Sequence, residues 1–164
     1  MIRPLRPEDA EELAALYRAN REFLAPFEPV RPAEFFTAEG QRERLREPGP
    51  TETHRYAILD DDALAGTIAA SNVVHGAFRS ANVGYWIDRA RNGRGLATAA
   101  VGDLVAVAFG ELGLHRLEAG TLLDNVASQR VLEKNGFERI GIARRYLLIG
   151  GEWRDHVLFQ RVSD

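Results

Sequence analysis

A strand, a glycine-rich turn and a helix follow one another directly in the middle of the chain. Val83–Ile87 has a strand pattern, and after Gly93 and Gly95 apolar residues recur at helical spacing from Leu96 to Ala108. At a helix start the backbone N–H groups lack intrahelical partners and the helix dipole is positive, which favours an anion. Glycines let the backbone approach a ligand closely. The turn therefore predicts a binding site for a phosphate compound.

Two familiar phosphate-binding motifs are absent from this turn. A nucleoside-triphosphate loop needs a Lys-Ser/Thr pair after its last glycine, and none follows Gly95. A dinucleotide fingerprint needs a third glycine, where this chain has Leu96-Ala-Thr98. Arg91 and Arg94 add positive charge beside the turn. An ordinary strand–helix turn without a ligand is the alternative.

Composition and charge exclude several classes of protein. The 164 residues are 45% apolar and 27% charged, which predicts one globular domain over residues 1–164. A net charge of −3 argues against nucleic acid as the main partner. No apolar run matches a membrane span and no signal-peptide core is present, so we expect a cytoplasmic protein without membrane contact. The absence of cysteine and the scattered histidines argue against disulfides, a cysteine nucleophile and a metal site.

The predicted elements follow the order β-α-α-β-β-β-α-β-α-β-β. This order indicates an α+β fold with a mixed sheet covered by helices on both faces. Besides the central helix, helices are expected from Pro7, over Ala38–Glu47 and over Val126–Lys134, and Gly150-Gly151 signals a hairpin. The strands are predicted at Arg3–Arg6, Arg55–Leu59, Leu64–Val74, Ala81–Ile87, His115–Leu123, Ile140–Ile149 and Trp153–Val162.

The segment from Asn20 to Thr37 is broken by prolines yet rich in large apolar side chains. An exposed loop rarely carries so many aromatic groups without a binding role. We therefore expect this segment to wrap a pocket, and simple packing over the core is the alternative.

A second motif lies between Leu117 and Phe137. A strand is followed by Asn125-x-x-Ser128 at the start of a short helix, and then by Glu133-Lys-x-Gly-Phe137. This arrangement resembles the acetyl-coenzyme A (acetyl-CoA) binding half of the GNAT superfamily of N-acetyltransferases. In that family an Arg/Gln-x-x-Gly-x-Gly/Ala turn cradles the pyrophosphate, and Asn92-Gly-Arg-Gly-Leu-Ala97 resembles it with Asn in the first position. The resemblance implies the GNAT fold, a mostly antiparallel sheet of six to seven strands with a V-shaped splay.

Three further segments resemble the ribosomal-protein-alanine N-acetyltransferase branch of this superfamily. They are Phe23-Leu-Ala-Pro-Phe-Glu-Pro29, the run from Gly76 to Ile87, and Gly151-Glu-Trp-Arg-Asp-His156. The resemblance covers essentially the whole chain. It implies direct transfer of acetyl from acetyl-CoA to the N-terminal amine of a protein, such as alanine or serine on a ribosomal protein.

The resemblance also implies where the cofactor binds. The acetyl-thioester arm would lie between Val83–Ile87 and Leu117–Leu123, and backbone amides near Trp86 would polarise the thioester carbonyl. The residues expected to bind the cofactor are Trp86, Ile87, Asn92, Gly93, Arg94, Gly95, Leu96, Ala97, Thr98, Asn125 and Ser128.

The leaving thiolate needs a proton donor. The Tyr that many superfamily members use is replaced by Leu132, so Ser128, one helical turn earlier, is the candidate general acid, and Asn125 would bind the arm. Both have structural alternatives, because Asn is a preferred N-cap and Ser also caps first turns.

The attacking amine must be neutral. A protein α-amine has a pKa near 7.7–8.0, so neutrality at pH 7 costs roughly 1 kcal/mol and a weak base suffices. Glu118 is the base expected by analogy and Glu28 is the second candidate. The residues expected to contact the acceptor are Phe27, Glu28, His75 and Tyr85.

Two other functions stay open at this point. One is a small-molecule amine acetyltransferase, for which the Asn20–Thr37 segment would form a closed box rather than an open groove. The other is a non-catalytic acyl-CoA binding domain, which the Leu132 replacement allows. The sequence is compatible with a monomer or a homodimer.

Overall fold

The computed structural model describes residues 1–164, which fold around one seven-stranded sheet. Short 3-10 turns also occur at Pro7–Asp9, Ala25–Phe27, Ala33–Phe36 and Arg89–Arg91. The strands and helices in chain order are β1 Ile2–Pro4, α1 Ala10–Ala19, α2 Arg21–Leu24, α3 Ala38–Arg46, β2 His54–Asp60, β3 Ala63–Val74, β4 Ser80–Ile87, α4 Leu96–Gly110, β5 Arg116–Leu122, α5 Val126–Lys134, β6 Glu138–Ile149 and β7 Glu152–Val162.

The sheet has the order β1-β2-β3-β4-β5-β7-β6, and every neighbouring pair is antiparallel except β4 and β5. That parallel pair is short, because its register ends where Asn82 meets Glu118. Beyond this point Val83–Ile87 and Ala119–Leu122 run on without a shared ladder. The predicted V-shaped splay is therefore confirmed, and it opens a gap in the middle of the sheet.

The two faces of the sheet are covered by different helices. The apolar stripe of α4, from Ala100 to Ala108, packs on one face against side chains such as Ile68 and Val83. On the other face α1 and Phe35 pack against Ala57 and Leu64. Because alternate residues of a strand point to opposite faces, neighbouring residues of β4 reach different layers.

The N-terminal region differs in detail from the prediction. The first strand is Ile2–Pro4 rather than Arg3–Arg6, and the helix proper begins at Ala10 after a 3-10 turn that starts at Pro7. The segment 20–37 contains helical turns instead of an irregular loop. Local hydrogen bonds explain the change at Pro7–Asp9, since the Asp9 carboxylate accepts from Arg3 (2.7 Å) and from the Arg6 N–H (2.8 Å).

A buried asparagine fixes the end of α1 to the turn that follows β4. Asn20 is 2% exposed, and its amide donates to Leu16 O (3.0 Å) and Asp88 Oδ1 (3.1 Å). Its side-chain oxygen accepts from the Arg89 N–H at 2.9 Å. Both amide hydrogens and the side-chain oxygen of Asn20 thus have partners. These bonds hold the glycine-rich turn in place beside α1.

None of the helices is long and apolar enough to cross a lipid bilayer.

Candidate active site

Two cavities meet at the splay between β4 and β5. One, of about 610 Å³, lies between the glycine-rich turn, the start of α4 and helix α5. The other, of about 400 Å³, extends under α1 and α3 along β2 and β3. The residues that line both cavities are Leu24, Phe27, Tyr85, Trp86, Asn125 and Ser128. A ligand in each cavity would therefore contact the other at this junction.

The first cavity ends at a set of free backbone donors. None of the N–H groups of residues 93–98 donates a hydrogen bond within the chain, and Ala99 is the next to do so, to Gly95 O at 3.0 Å. Gly93 and Gly95 both have φ of +78°, a left-handed conformation that glycine adopts at little cost. Six consecutive donors at the start of a fifteen-residue helix form a cradle for an anion.

The arginines beside this turn are oriented differently from expectation. Arg94 Nη1 forms a hydrogen bond of 2.5 Å with Asp60, and Arg91 Nη1 lies 3.1 Å from the same carboxylate. Arg91 still lines the cavity, whereas Arg94 does not. The Arg94 side chain therefore anchors the turn to β2, while its backbone N–H has no acceptor within the chain.

Two basic residues of α5 were missed by the sequence reasoning. Arg130 and Lys134 both line the first cavity, and together with Arg91 they are its only charged side chains. Their spacing of four residues places them on one side of a helix, which is the signal that would have found them. A cavity with three cations and no acid favours a polyanionic ligand.

At the junction of the cavities two hydroxyl groups are hydrogen-bonded. Tyr85 OH lies 2.7 Å from Ser128 Oγ and 3.2 Å from the Ser128 carbonyl oxygen. Burial raises the pKa of Tyr85 to about 12, although the hydrogen bond with Ser128 opposes the shift. Tyr85 thus keeps its proton at neutral pH, and the Ser128 hydroxyl binds Tyr85 rather than capping its own helix.

Asn125 acts as the N-cap of α5. Its side-chain oxygen accepts from the Ser128 N–H at 3.2 Å, so the structural alternative for this residue is present in the fold. Asn125 also lines both cavities. The cap holds Ser128 at the first turn of the helix, facing the splay.

Trp86 and Tyr85 point to opposite faces of the sheet, as expected for neighbours on a strand. The Trp86 ring lies 4.8 Å from Tyr17, and its Nε1–H donates to Tyr17 OH at 3.1 Å. Tyr85 instead reaches α5. Both residues line the junction.

The second cavity contains the acidic candidate Glu28. This carboxylate lies 3.8 Å from Arg31 Nε, and burial raises its pKa above the ordinary value while Arg31 and Arg44 oppose the shift. Phe27 lines both cavities, and Phe23 lines the first. The aromatic segment 20–37 therefore does wrap the pocket, while its Phe35 packs into the core.

Comparison with known proteins agrees with this geometry. Residues 1–138 match the acetyltransferase (GNAT) domain family. The chain belongs to the GNAT acetyltransferase family. It is 43% identical to the probable N-acetyltransferase YjcK of Bacillus subtilis, over 94% of this chain and 89% of that protein.

Two solved structures resemble the chain along almost its full length. The ribosomal-protein-S5-alanine acetyltransferase of Vibrio fischeri has a TM-score of 0.92 at 32% identity, covering 99% of this chain and 92% of that one. RimJ of Mycobacterium smegmatis, in complex with CoA-disulfide, has a TM-score of 0.87 at 31% identity, covering 99% and 81%. These comparisons confirm the family and the fold inferred from the sequence. The protein is an acetyl-CoA-dependent N-acetyltransferase.

Glu118 of this acetyltransferase does not reach either cavity. Its carboxylate accepts from Arg116 Nη2 at 2.6 Å and from Tyr146 OH at 3.2 Å. It stands at the last position of the β4–β5 ladder, before the strands separate. The structure therefore places Glu118 in an ion pair beside the splay, whereas Glu28 lines the second cavity.

His75 is also placed away from the cleft. Its Nε2 lies 2.8 Å from Glu52, whose other oxygen pairs with His54 at 2.9 Å, and its side chain is 62% exposed. It lines neither cavity. The sequence could not show this, because the turn after β3 directs His75 toward the loop that precedes β2.

No group of three or more metal-ligating side chains is placed to hold a metal ion.

Proposed function

We propose that this enzyme transfers acetyl from acetyl-CoA to the N-terminal α-amine of a protein, with alanine or serine of a ribosomal protein as the acceptor. The Ser128–Tyr85 pair carries this proposal, because it lies where a cleft suited to CoA meets a second, acceptor-sized cavity. The similarity to a ribosomal-protein-alanine acetyltransferase favours an N-terminal acceptor. Such an acceptor places the enzyme in the cytoplasm.

The residues of the first cavity fit acetyl-CoA. The free N–H groups of residues 93–98 match the pyrophosphate of CoA. Arg130 and Lys134 offer positive charge to the remaining phosphate group of CoA. The unpaired edge of β4 at Trp86 and Ile87 suits an amide-containing arm. When bound, acetyl-CoA supplies an activated acetyl thioester. The absence of acidic side chains from this cavity avoids repulsion of the phosphates.

Glu28 in the second cavity and the Ser128–Tyr85 pair at the junction supply the proton movements. Glu28 accepts a proton from the incoming amine, directly or through water, as its raised pKa makes it a better base than an exposed carboxylate. Ser128 Oγ donates a proton to the leaving sulfur and takes one from Tyr85 OH in turn, and Tyr85 regains its proton from water. The raised pKa of Tyr85 keeps its hydroxyl protonated at the start of each turnover and makes the phenolate a strong base that takes its proton back.

Glu28→Gln is expected to lower kcat by roughly tenfold to a hundredfold at pH 7, since the α-amine needs only modest help to become neutral. A carboxylate base is active only when deprotonated, so activity in the wild type falls as pH drops through the raised pKa of Glu28. The variant should lose the part of the acidic limb that belongs to Glu28 and keep the part set by the acceptor's α-amine, whose pKa lies near 7.7–8.0. A pH profile of kcat from pH 5 to 9, with a peptide acceptor, measures both effects.

Glu118→Gln is the matched control for this prediction. It removes one charge from the Arg116 ion pair at a position outside both cavities, so kcat and the acidic limb should be retained. A larger loss in Glu118→Gln than in Glu28→Gln would assign the base to Glu118 and contradict our choice.

Mass spectrometry of acetylated peptides tests the function itself. The enzyme and acetyl-CoA are mixed with peptides that have a free N-terminal Ala or Ser and with N-blocked peptides that contain an internal Lys. We expect a mass gain of one acetyl group only on the free N-termini. Acetylation of small amines but no peptide would favour a small-molecule enzyme. Binding of CoA with no acceptor turned over would favour a non-catalytic domain.

A further inference from the structure

The second cavity has an excess of positive charge. Three arginines line it, Arg31, Arg44 and Arg55, together with a single acid, Glu28. The carboxylate of Glu28 lies 3.8 Å from Arg31 Nε. Arg44 donates only to the neutral Gln41 at 3.3 Å, and neither Arg44 nor Arg55 forms an ion pair. Two cationic side chains are thus left without a carboxylate.

These arginines converge on the cavity from three separate elements. Arg31 follows the 3-10 turn after α2, Arg44 belongs to α3 and Arg55 belongs to β2. The guanidinium groups of Arg31 and Arg44 both lie over the Phe35 ring, at 4.7 and 5.3 Å from its centroid. All three are partly buried. Such stacking fixes the planes of the groups, which prepares them for bidentate hydrogen bonds.

Two polar atoms in the same cavity have no hydrogen-bond partner, and Arg31 Nε has only the Glu28 carboxylate at 3.8 Å. Arg31 Nε and Thr121 Oγ1 are the buried side-chain polar atoms of the chain that lack a hydrogen bond, and both residues line this cavity. Burial also lowers the pKa of Arg55, and the charge of Arg44 adds to that effect. A buried donor that lacks a hydrogen bond destabilises a fold, and so do like charges that lie close together. The presence of both in one cavity indicates that a ligand compensates for them.

We infer that the acceptor carries a carboxylate close to its reactive amine, and that Arg31, Arg44 and Arg55 bind this carboxylate. The inference rests on the acetyl transfer to an amine in the proposed function and specifies the chemistry of the acceptor beside that amine. In this arrangement Glu28 faces the amine. Arg44 and Arg55, which have no carboxylate partner, face the acceptor's carboxylate together with Arg31, so the cavity is complementary to an acceptor with both charges. The carboxylate is either an acidic side chain near a peptide N-terminus or the α-carboxylate of a free amino acid.

Calorimetric binding in the presence of CoA tests this inference without turnover. Peptides starting Ala-Asp and Ala-Ala-Asp are compared with the same peptides carrying Asn in place of Asp, and free alanine is compared with alaninamide. We expect the carboxylate form of the preferred pair to bind at least tenfold more tightly, since charge-assisted bonds to Arg are lost with the amide. A preference within the peptide pairs identifies an acidic N-terminus, and a preference for free alanine alone identifies an amino acid.

Variants then assign the preference to the arginines. Arg44→Gln and Arg55→Gln should each reduce the ratio of carboxylate to amide binding toward one. Arg42→Gln is the control on the same helix, because Arg42 pairs with Glu39 on the surface and lines neither cavity, so it should keep the wild-type ratio. Retained CoA affinity shows that each variant is folded.

The outcomes separate this inference from the proposed function. Equal binding of carboxylate and amide forms by the wild type overturns the inference, even if every peptide is acetylated. A carboxylate preference that persists in both Arg44→Gln and Arg55→Gln also overturns it. A clear preference without acetyl transfer to any acceptor contradicts the proposed function and leaves the carboxylate site standing.

Discussion

Ser128→Ala is expected to lower kcat by roughly a hundredfold to a thousandfold, the usual range for loss of a positioned general acid. The hydroxyl lies at the junction of the two cavities, 2.7 Å from Tyr85 OH, and no other hydroxyl besides that of Tyr85 lines both cavities. Without it the leaving sulfur loses its proposed donor, and the Tyr85 hydroxyl is the one hydroxyl left in the junction. Steady-state kinetics with acetyl-CoA and an Ala-terminated peptide measure the loss.

The effect should be confined to the chemical step. Calorimetry should show CoA binding to Ser128→Ala changed by only a few-fold, because the backbone donors of residues 93–98 are untouched. Tyr85→Phe is the companion variant: it retains the Ser128 hydroxyl but removes its partner, so kcat should fall less, by about tenfold. A Ser128→Ala enzyme with near wild-type kcat, or a Tyr85→Phe enzyme with the larger loss, would assign the acid elsewhere.

Gly95→Asp is expected to weaken CoA binding by more than a hundredfold. Gly95 precedes α4 with φ of +78°, and the space around a side chain at this position is open. A carboxylate there meets the phosphates in the cradle, and two unit charges about 5 Å apart repel by about 3 kcal/mol at an effective dielectric constant of 20. Each 1.4 kcal/mol is a tenfold change in Kd. Calorimetry with CoA at low ionic strength measures the change.

Gly95→Asn separates this charge effect from backbone strain. Asn and Asp are the two side chains that most readily adopt the left-handed conformation, so both variants carry similar strain and should unfold at similar temperatures. The Asn variant should bind CoA substantially more tightly than the Asp variant, and the difference should shrink as salt screens the charges. Equal Kd values for the two variants would show that the phosphates do not occupy this helix start.

The residues predicted to bind the cofactor largely coincide with the lining of the first cavity. Local patterns define it: the glycines must stand between a strand and a helix, and Asn125-x-x-Ser128 must open the next helix. Every predicted cofactor residue lines the first cavity except Arg94, whose side chain pairs with Asp60. The sequence could not show the position of the Arg94 side chain, because Asp60 is 34 positions away in the chain and only the fold brings it to the turn.

The acceptor side depended on long-range contacts that no local pattern encodes. By analogy Glu118 was preferred to Glu28, yet the register of β4 and β5 ends at Glu118 and leaves it paired with Arg116 outside the cleft. His75 likewise joins Glu52 instead of the acceptor cavity. Both residues are polar groups near a strand end, and their partners are set by how strands and loops meet, not by spacing along one segment.

The sequence by itself therefore determined the family, the element order and the glycine-rich helix start, because these depend on neighbouring residues and on backbone donors that any such turn presents. Only the tertiary structure decided how Tyr85 meets Ser128 and which acid enters the second cavity. It also brought together Arg31, Arg44 and Arg55 from a loop, a helix and a strand. Those relations arise where the sheet splays and separate layers pack together, so they exist only in the folded chain.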